Sequence, residues 1–302
     1  LLQGDISVQY QTHCDLFGTE KTDLQNRIAT EGWGKEFLSR RLKNGHWGYK
    51  FYQPKWTSTH YTLLDLKNLG IAQKNQLILE TLNLIFDTEK GPDGGIRPIG
   101  TVQKSDVCIN GMLLNYATYF LIDEKKLESV VDFLLSQHMA DGGFNCCSNR
   151  SGAVHSSLHS TISVAEGILE YARNGYTYRL DELQQAEQGC REFMLQHQLF
   201  KSDKTGATID RRMLMLSYPS RWRYDILRAL DYFRSADVEY DPRMEAAIEV
   251  LLKKRRKDDC WPLQAKHPGQ THFDMEKGGA ASRWNTLRAL RVLKYFKMLK
   301  EL

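Results

Sequence analysis

The chain has 302 residues, 41% hydrophobic and 26% charged, the make-up of a globular protein and neither a disordered nor a collagen-like one. Its formal charge is +4, from 41 Lys and Arg against 37 Asp and Glu, too mild to imply nucleic acid as a partner. No apolar run reaches the roughly 18 residues of a transmembrane helix, and the opening Leu1-Leu2-Gln3-Gly4-Asp5 does not read as a signal peptide.

In chain order, two kinds of helix are expected to alternate. The first is a relatively apolar helix from Asp5 through Val8, Tyr10 and Leu16 to Phe17. An amphipathic segment follows at Gly32-Trp33-Gly34-Lys35-Glu36-Phe37-Leu38, leading to Asn44-Gly45-His46-Trp47-Gly48. The amphipathic type returns at Leu77–Phe86 before Asp93-Gly94-Gly95-Ile96, and at Phe133-Leu134-Leu135 before Asp141-Gly142-Gly143-Phe144. Weaker copies close at Phe193–Phe200 and at Asp258-Asp259-Cys260-Trp261. Gly past the last periodic position is a helix stop, because Gly accepts positive φ.

Each amphipathic copy is followed, after a loop, by a helix with few charges. These begin near Ser58, Ser105, Ser157, Ser220 and Ser282, where a small hydroxyl can cap free N–H groups. The last two match closely: Ser220-Arg221-Trp222 with Leu227-Arg228-Ala229-Leu230, and Ser282-Arg283-Trp284 with Leu287-Arg288-Ala289-Leu290. The basic run Lys253-Lys254-Arg255-Arg256-Lys257 falls at a helix C-terminus, where cations complement the dipole. Length alone allows two domains. The recurrence implies one, residues 1–302, with about six apolar and five amphipathic helices and almost no strand. The six cysteines contain no Cys-x-x-Cys pair, so free thiols in a reducing cytoplasm are expected.

The Phe-Leu, Gln, Asp-Gly-Gly-Phe pattern, best seen over Phe133–Phe144, resembles the repeats of squalene cyclases and protein prenyltransferase β subunits. The resemblance covers nearly the whole chain. It implies an all-α fold, an α/α toroid with the apolar helices inside and the amphipathic helices outside, and an isoprenoid or other apolar small molecule as ligand. A prenyltransferase reading also implies zinc and a partner like the family's α subunit. Asp106-Val107-Cys108 and His159 stand at two consecutive apolar helix starts, matching the family's zinc ligands. Thiolate, imidazole and carboxylate suit zinc with an open fourth position, where a substrate thiol becomes nucleophilic. His155 is an alternative ligand. Arg97 and Lys104 match the family's diphosphate-binding bases, and Trp56, Trp222 and Trp284 its aromatic walls. His60 lies a turn from Trp56, which replaces a family His.

Two further classes stand beside this transferase. A terpene cyclase would protonate an alkene from a lone acid, Asp106, because the Asp-x-Asp-Asp motif of the squalene–hopene cyclases is absent. A non-catalytic isoprenoid or lipid carrier, or a scaffold, would keep the toroid without the chemistry. Taken as bare residues, Asp106 reads as a helix cap, Cys108 as a small buried apolar side chain, and Arg97 and Lys104 as loop charges. Cys146-Cys147 with His138 and His155, and Cys260 with His267 and His272, are rival metal clusters.

Overall fold

The computed structural model describes residues 1–147 and 151–299. They fall into two compact units. One comprises Ser39–Asn68 and Ala72–Phe193; the other comprises Leu1–Leu38, Leu69–Ile71 and the chain from Met194 onward.

The Ser39–Phe193 unit holds α4 (Thr59–Leu69), α5 (Gln76–Thr88), α6 (Val107–Tyr119), α7 (Glu124–Ser136), α8 (Leu158–Arg173) and most of α9 (Leu180–Gln196). Asn75 caps α5 by accepting from Ile78 N–H at 3.3 Å. That helix buries Ile78, Leu82, Ile85 and Phe86, spaced three and four apart along one stripe. Asp123 caps α7 at Lys125 N–H, 3.0 Å, and α7 buries Leu127, Val130, Val131 and Leu134. In contrast, α6 is buried around its whole girth, from Ile109 through Thr118.

Two glycines let α6 and α8 touch through their backbones. A Cβ on Gly111 would lie 2.8 Å from the Ser163 carbonyl carbon and oxygen, and one on Gly167 would lie 2.4 Å from Gly111 O. Glycine costs about 1 kcal/mol inside a helix relative to Ala; close contact is what it permits in return.

The other unit holds α1 (Ile6–Phe17), α2 (Thr22–Arg27), α3 (Gly32–Leu38), α10 (Ile226–Ser235), α11 (Glu245–Lys253) and α12 (Arg283–Tyr295), with a two-stranded antiparallel ladder of β1 (Trp261–Pro262) and β2 (Ala281–Ser282). Three of these helices meet at one guanidinium. Arg291 of α12 donates to Asp231 of α10 at 2.8 Å and to Asp15 of α1 at 2.7 Å; Arg234 and Arg288 also reach Asp231. Burial alone would raise the Asp231 pKa, but the guanidinium groups of Arg291, Arg234 and Arg288 hold it well below the usual carboxylate range.

The apolar set is therefore α1, α4, α6, α8, α10 and α12, and the amphipathic set α3, α5, α7, α9 and α11, in the alternation expected. The short α2 is an addition. The other difference is α10, which starts at Ile226 and not near Ser220. Asp225 takes the cap, accepting from Arg228 N–H at 2.9 Å and from the Ser217 hydroxyl at 2.6 Å. The preceding segment turns at Arg221, whose φ is 53°.

A shared device ties four of the five turns to the apolar helix that follows. Trp47 N–H donates to Thr59 Oγ1, Phe144 N–H to Thr161 Oγ1 and Trp261 N–H to Thr286 Oγ1, at 3.0, 3.0 and 2.9 Å. Ile96 exchanges two bonds with the Asn110 amide, at 2.7 and 3.0 Å. The turn aspartates act too: Asp93 accepts from Ser105 N–H and hydroxyl, and Asp141 from Ser156 N–H and hydroxyl. Among the described residues, no helix is long and apolar enough to cross a membrane.

Overpacking predicts that Gly111→Ala lowers stability by about 1–3 kcal/mol, read as a lower urea midpoint at unchanged slope. Gly100→Ala, with nothing within 4 Å of the added methyl, should leave the midpoint where it is.

Candidate functional site

The Ser39–Phe193 unit gathers chemistry-bearing side chains at the starts of α4, α6 and α8. Before and within α4 stand Tyr52, Trp56, His60 and Tyr61. His60 is fully buried, with ring centroids of Phe51, Tyr52, Tyr61 and Tyr116 at 5.4, 5.4, 4.8 and 5.6 Å. Its Nδ1 meets Tyr116 OH at 3.1 Å, while Nε2 has no hydrogen-bond partner among the described residues. Burial drives the His60 pKa down to about 3, so the imidazole is neutral. Trp56 packs 5.0 Å from Tyr61 and carries Lys55 Nζ over its ring at 4.8 Å. Tyr52 and Tyr61 share a hydroxyl contact at 3.1 Å.

Tyr52 also faces the start of α6. Burial first, and then the neighbouring Cys108, Asp106 and Cys146, push its phenol up against the opposing hydrogen bond from Tyr61. Asp106 is the N-cap residue of α6, yet its side chain makes no capping bond. The cap comes from outside the helix: Cys146 Sγ accepts from Cys108 N–H at 3.0 Å. Ser160, in the first turn of α8, donates its hydroxyl to the same sulfur at 3.3 Å and accepts from Cys146 N–H at 3.1 Å. The two thiols bond to each other, so Cys108 as donor is pushed well up and Cys146 as acceptor is drawn down.

This arrangement bears on the expected zinc ligands. Among the described residues, no three His, Cys, Asp or Glu side chains form a group that could hold a metal ion. Asp106, Cys108 and His159 are thus not assembled as a donor set, and the sulfur partner of Cys108 is Cys146. The rival clusters fare alike: His138 bonds Gly142 O at 3.1 Å, and His155 lies 4.0 Å from Asp141. His159 sits half-buried in the first turn of α8. The expected diphosphate bases lie in the loop before α6. Arg97 donates to Gly100 O at 3.1 Å, and Lys104 is exposed.

In the other unit, Trp222 and Trp284 are not equivalent despite their matching tripeptides. Trp284 lies inside α12, 1% exposed, stacked between Tyr218 at 4.8 Å and Trp33 at 6.3 Å. Trp222 lies in the turn before α10, half-buried, 6.3 Å from His267. Tyr218 also faces a cavity of about 150 Å³, whose wall includes Arg221, His267, His272, Phe273 and Glu276. Arg221 and His267 are 5% and 8% exposed. Glu276 accepts from Arg283 N–H at 2.7 Å, from Trp284 N–H at 3.3 Å and from the Ser282 hydroxyl, yet burial keeps its carboxyl raised. Sequence reasoning named His267 and His272 only as metal candidates and missed Tyr218, Arg221 and Glu276 as a wall. The legible signal was the two long loops, Phe200 to Asp225 and Trp261 to Ser282, that supply this wall.

No family model and no curated protein matches the chain. Solved structures do. Glycosyl hydrolase family 88 from Bacteroides vulgatus is similar at a TM-score of 0.53 and 11% identity, over 97% of this chain and 92% of that one. A polysaccharide lyase gives 0.52 at 12% over 99% and 92%. Type II terpene cyclase MstE from Scytonema gives 0.50 at 13% over 98% and 90%. The fold is the α/α toroid. At such identities the likeness establishes the toroid and leaves activity to the site residues.

Within this toroid, His60 has a pH signature. Its folded pKa lies below the unfolded value of about 6.5, so the unfolded chain takes up the proton first. The contribution is complete above pH 6.5 and is lost as pH falls towards 3. Between pH 6.5 and 5, urea melts should lose about 2 kcal/mol to this group, and His60→Phe should flatten that part of the profile.

Proposed function

We propose that the chain binds an apolar small molecule of the isoprenoid class at the starts of α4 and α6, and that its chemistry there is proton-initiated. One observation carries the reading: Asp106 and Cys108 stand half-buried beside an aromatic group built from Tyr52, Trp56, Tyr61 and Tyr116, with a neutral imidazole among the rings. Aromatic faces suit an alkene chain, and they stabilise cationic charge by about 0.5–2 kcal/mol per well-placed ring. Asp106, half-buried at the start of α6 beside Tyr52, is the acid that would give a proton to an alkene. A cation so formed would lie against π-faces.

Prenyl transfer through zinc is not carried into this reading, which draws on Asp106 and the rings alone. The fold shared with type II terpene cyclase MstE supports the scaffold and says nothing of the substrate. A second reading rests on the cavity in the other unit. Arg221, His267 and Glu276 against the face of Tyr218 would suit a polar small molecule.

Titration of the full chain with geranylgeraniol, followed by tryptophan fluorescence, tests the first reading. Saturable binding is expected, weakened about tenfold in Trp56→Ala, the loss of roughly 1.4 kcal/mol. Asp106→Asn should keep binding and abolish any cyclised product seen by mass spectrometry. Absence of saturable binding, or binding indifferent to Trp56→Ala, overturns it. Full turnover by Asp106→Asn overturns the acid role alone.

A further inference from the structure

The contact between two thiols at the start of α6 has no role in the isoprenoid reading, which asks nothing of Cys146. Cys146 lies in the turn segment after Phe144, and Cys108 in the first turn of α6, 38 residues earlier. Nothing in the sequence pairs them. Contact between them follows from the way α8 packs on α6 through Gly111 and Gly167, which brings the two helix starts together.

The Cys146 sulfur is held in place from several sides. It accepts from the Cys108 amide at 3.0 Å and from the Ser160 hydroxyl at 3.3 Å. The Cys146 backbone N–H is in turn fixed to Ser160 Oγ at 3.1 Å. The Cys108 thiol is its hydrogen-bond partner. Both cysteines are half-buried. The remaining thiols are differently placed. Cys190 is buried, Cys147 is exposed, and Cys14 and Cys260 are half-buried in the other unit.

We propose that Cys146 is a modification site for small hydroperoxides, with Cys108 as its resolving partner, so that oxidation closes a Cys108–Cys146 disulfide. The chemistry balances with hydrogen peroxide as oxidant. The Cys146 sulfur attacks one peroxide oxygen, an S–O bond forms and the O–O bond breaks. Sulfur gives up two electrons, and the thiol proton leaves with the departing hydroxide as water. The product is a sulfenic acid. The Cys108 sulfur then attacks the sulfenic sulfur. An S–S bond forms, the S–O bond breaks, and the Cys108 proton leaves with hydroxide as a second water. A dithiol reductant reverses the whole by exchange. Hydrogen bonds aimed at the Cys146 sulfur favour it as the attacking member, as at other helix N-termini. Ser160 is a positioning residue: it touches the sulfur and the backbone that carries it, not the peroxide.

The test uses the full chain treated with hydrogen peroxide, then alkylated, digested and read by peptide mass spectrometry. A cross-linked Cys108–Cys146 peptide pair, lighter by two hydrogens and restored by dithiothreitol, is expected. Cys108→Ser should stop at the sulfenic acid, trapped by dimedone at Cys146. Cys146→Ser should leave Cys108 unoxidised at the same dose, and Cys147→Ser should cross-link as the wild type does. Ser160→Ala should slow cross-linking severalfold with an unchanged melting curve. The proposal is overturned if Cys147 replaces Cys146 in the cross-link, or if Cys146 reacts no faster than Cys260. It is overturned equally if the Cys108→Ser protein gives no dimedone adduct at Cys146 while remaining folded by circular dichroism. None of these readouts depends on the isoprenoid reading.

Discussion

The architecture depends on how the backbone of each turn is satisfied. After an amphipathic helix the chain reverses and buries an apolar residue, Trp47, Ile96, Phe144 or Trp261, each at most 1% exposed. A buried amide without a partner there would cost about 1–3 kcal/mol. In each case the partner is a Thr or Asn side chain near the start of the next apolar helix. One hydrogen bond therefore performs two tasks. It satisfies the turn, and it sets where along the turn the next helix begins. Side chains at those helix starts, including Asp106 and Cys108, inherit their positions from it.

The carboxylate of Asp231 is the counterpart in the other unit. There the polar tie runs between helices far apart in sequence, since Arg291 holds Asp15 as well as Asp231. A buried charge is tolerable only when paired and hydrogen-bonded, and this one draws on Arg234, Arg288 and Arg291. Its hold is electrostatic, whereas α6 and α8 meet through bare backbone at Gly111 and Gly167. The α6–α8 and α10–α12 pairs thus use different physics to fasten their helices.

Much of the fold was legible in the sequence because periodicity is local. The stripe of α5, the all-round burial of α6 and the Gly turns are written in consecutive residues. The start of α10 was misplaced because Ser220-Arg221-Trp222 copies Ser282-Arg283-Trp284 in letters but not in conformation. Positive φ at Arg221 and the Asp225 cap are set by Ser217 and Arg228, which a repeat alignment does not weigh. The site was less legible for a similar reason. Asp106, Cys108 and Trp56 were drawn from motif spacing and do stand around Tyr52, which the sequence did not single out, but the sulfur that meets Cys108 comes from Cys146. Spacing by one repeat brought His159 to the neighbouring helix start.

The turn anchors have a further consequence. The interval between anchored residue and anchoring side chain is 12, 14, 17 and 25 residues in the four cases, yet the bond is the same length to within a few tenths of an ångström. The clasp ignores how much chain it encloses. Intervening loops can accordingly lengthen, shorten or be exchanged between relatives without shifting the helices at either end. Such a scaffold separates what must be inherited from what is free to diverge. The clasp and the helices are held constant, and new chemistry can be tried out in the loops at little cost to folding.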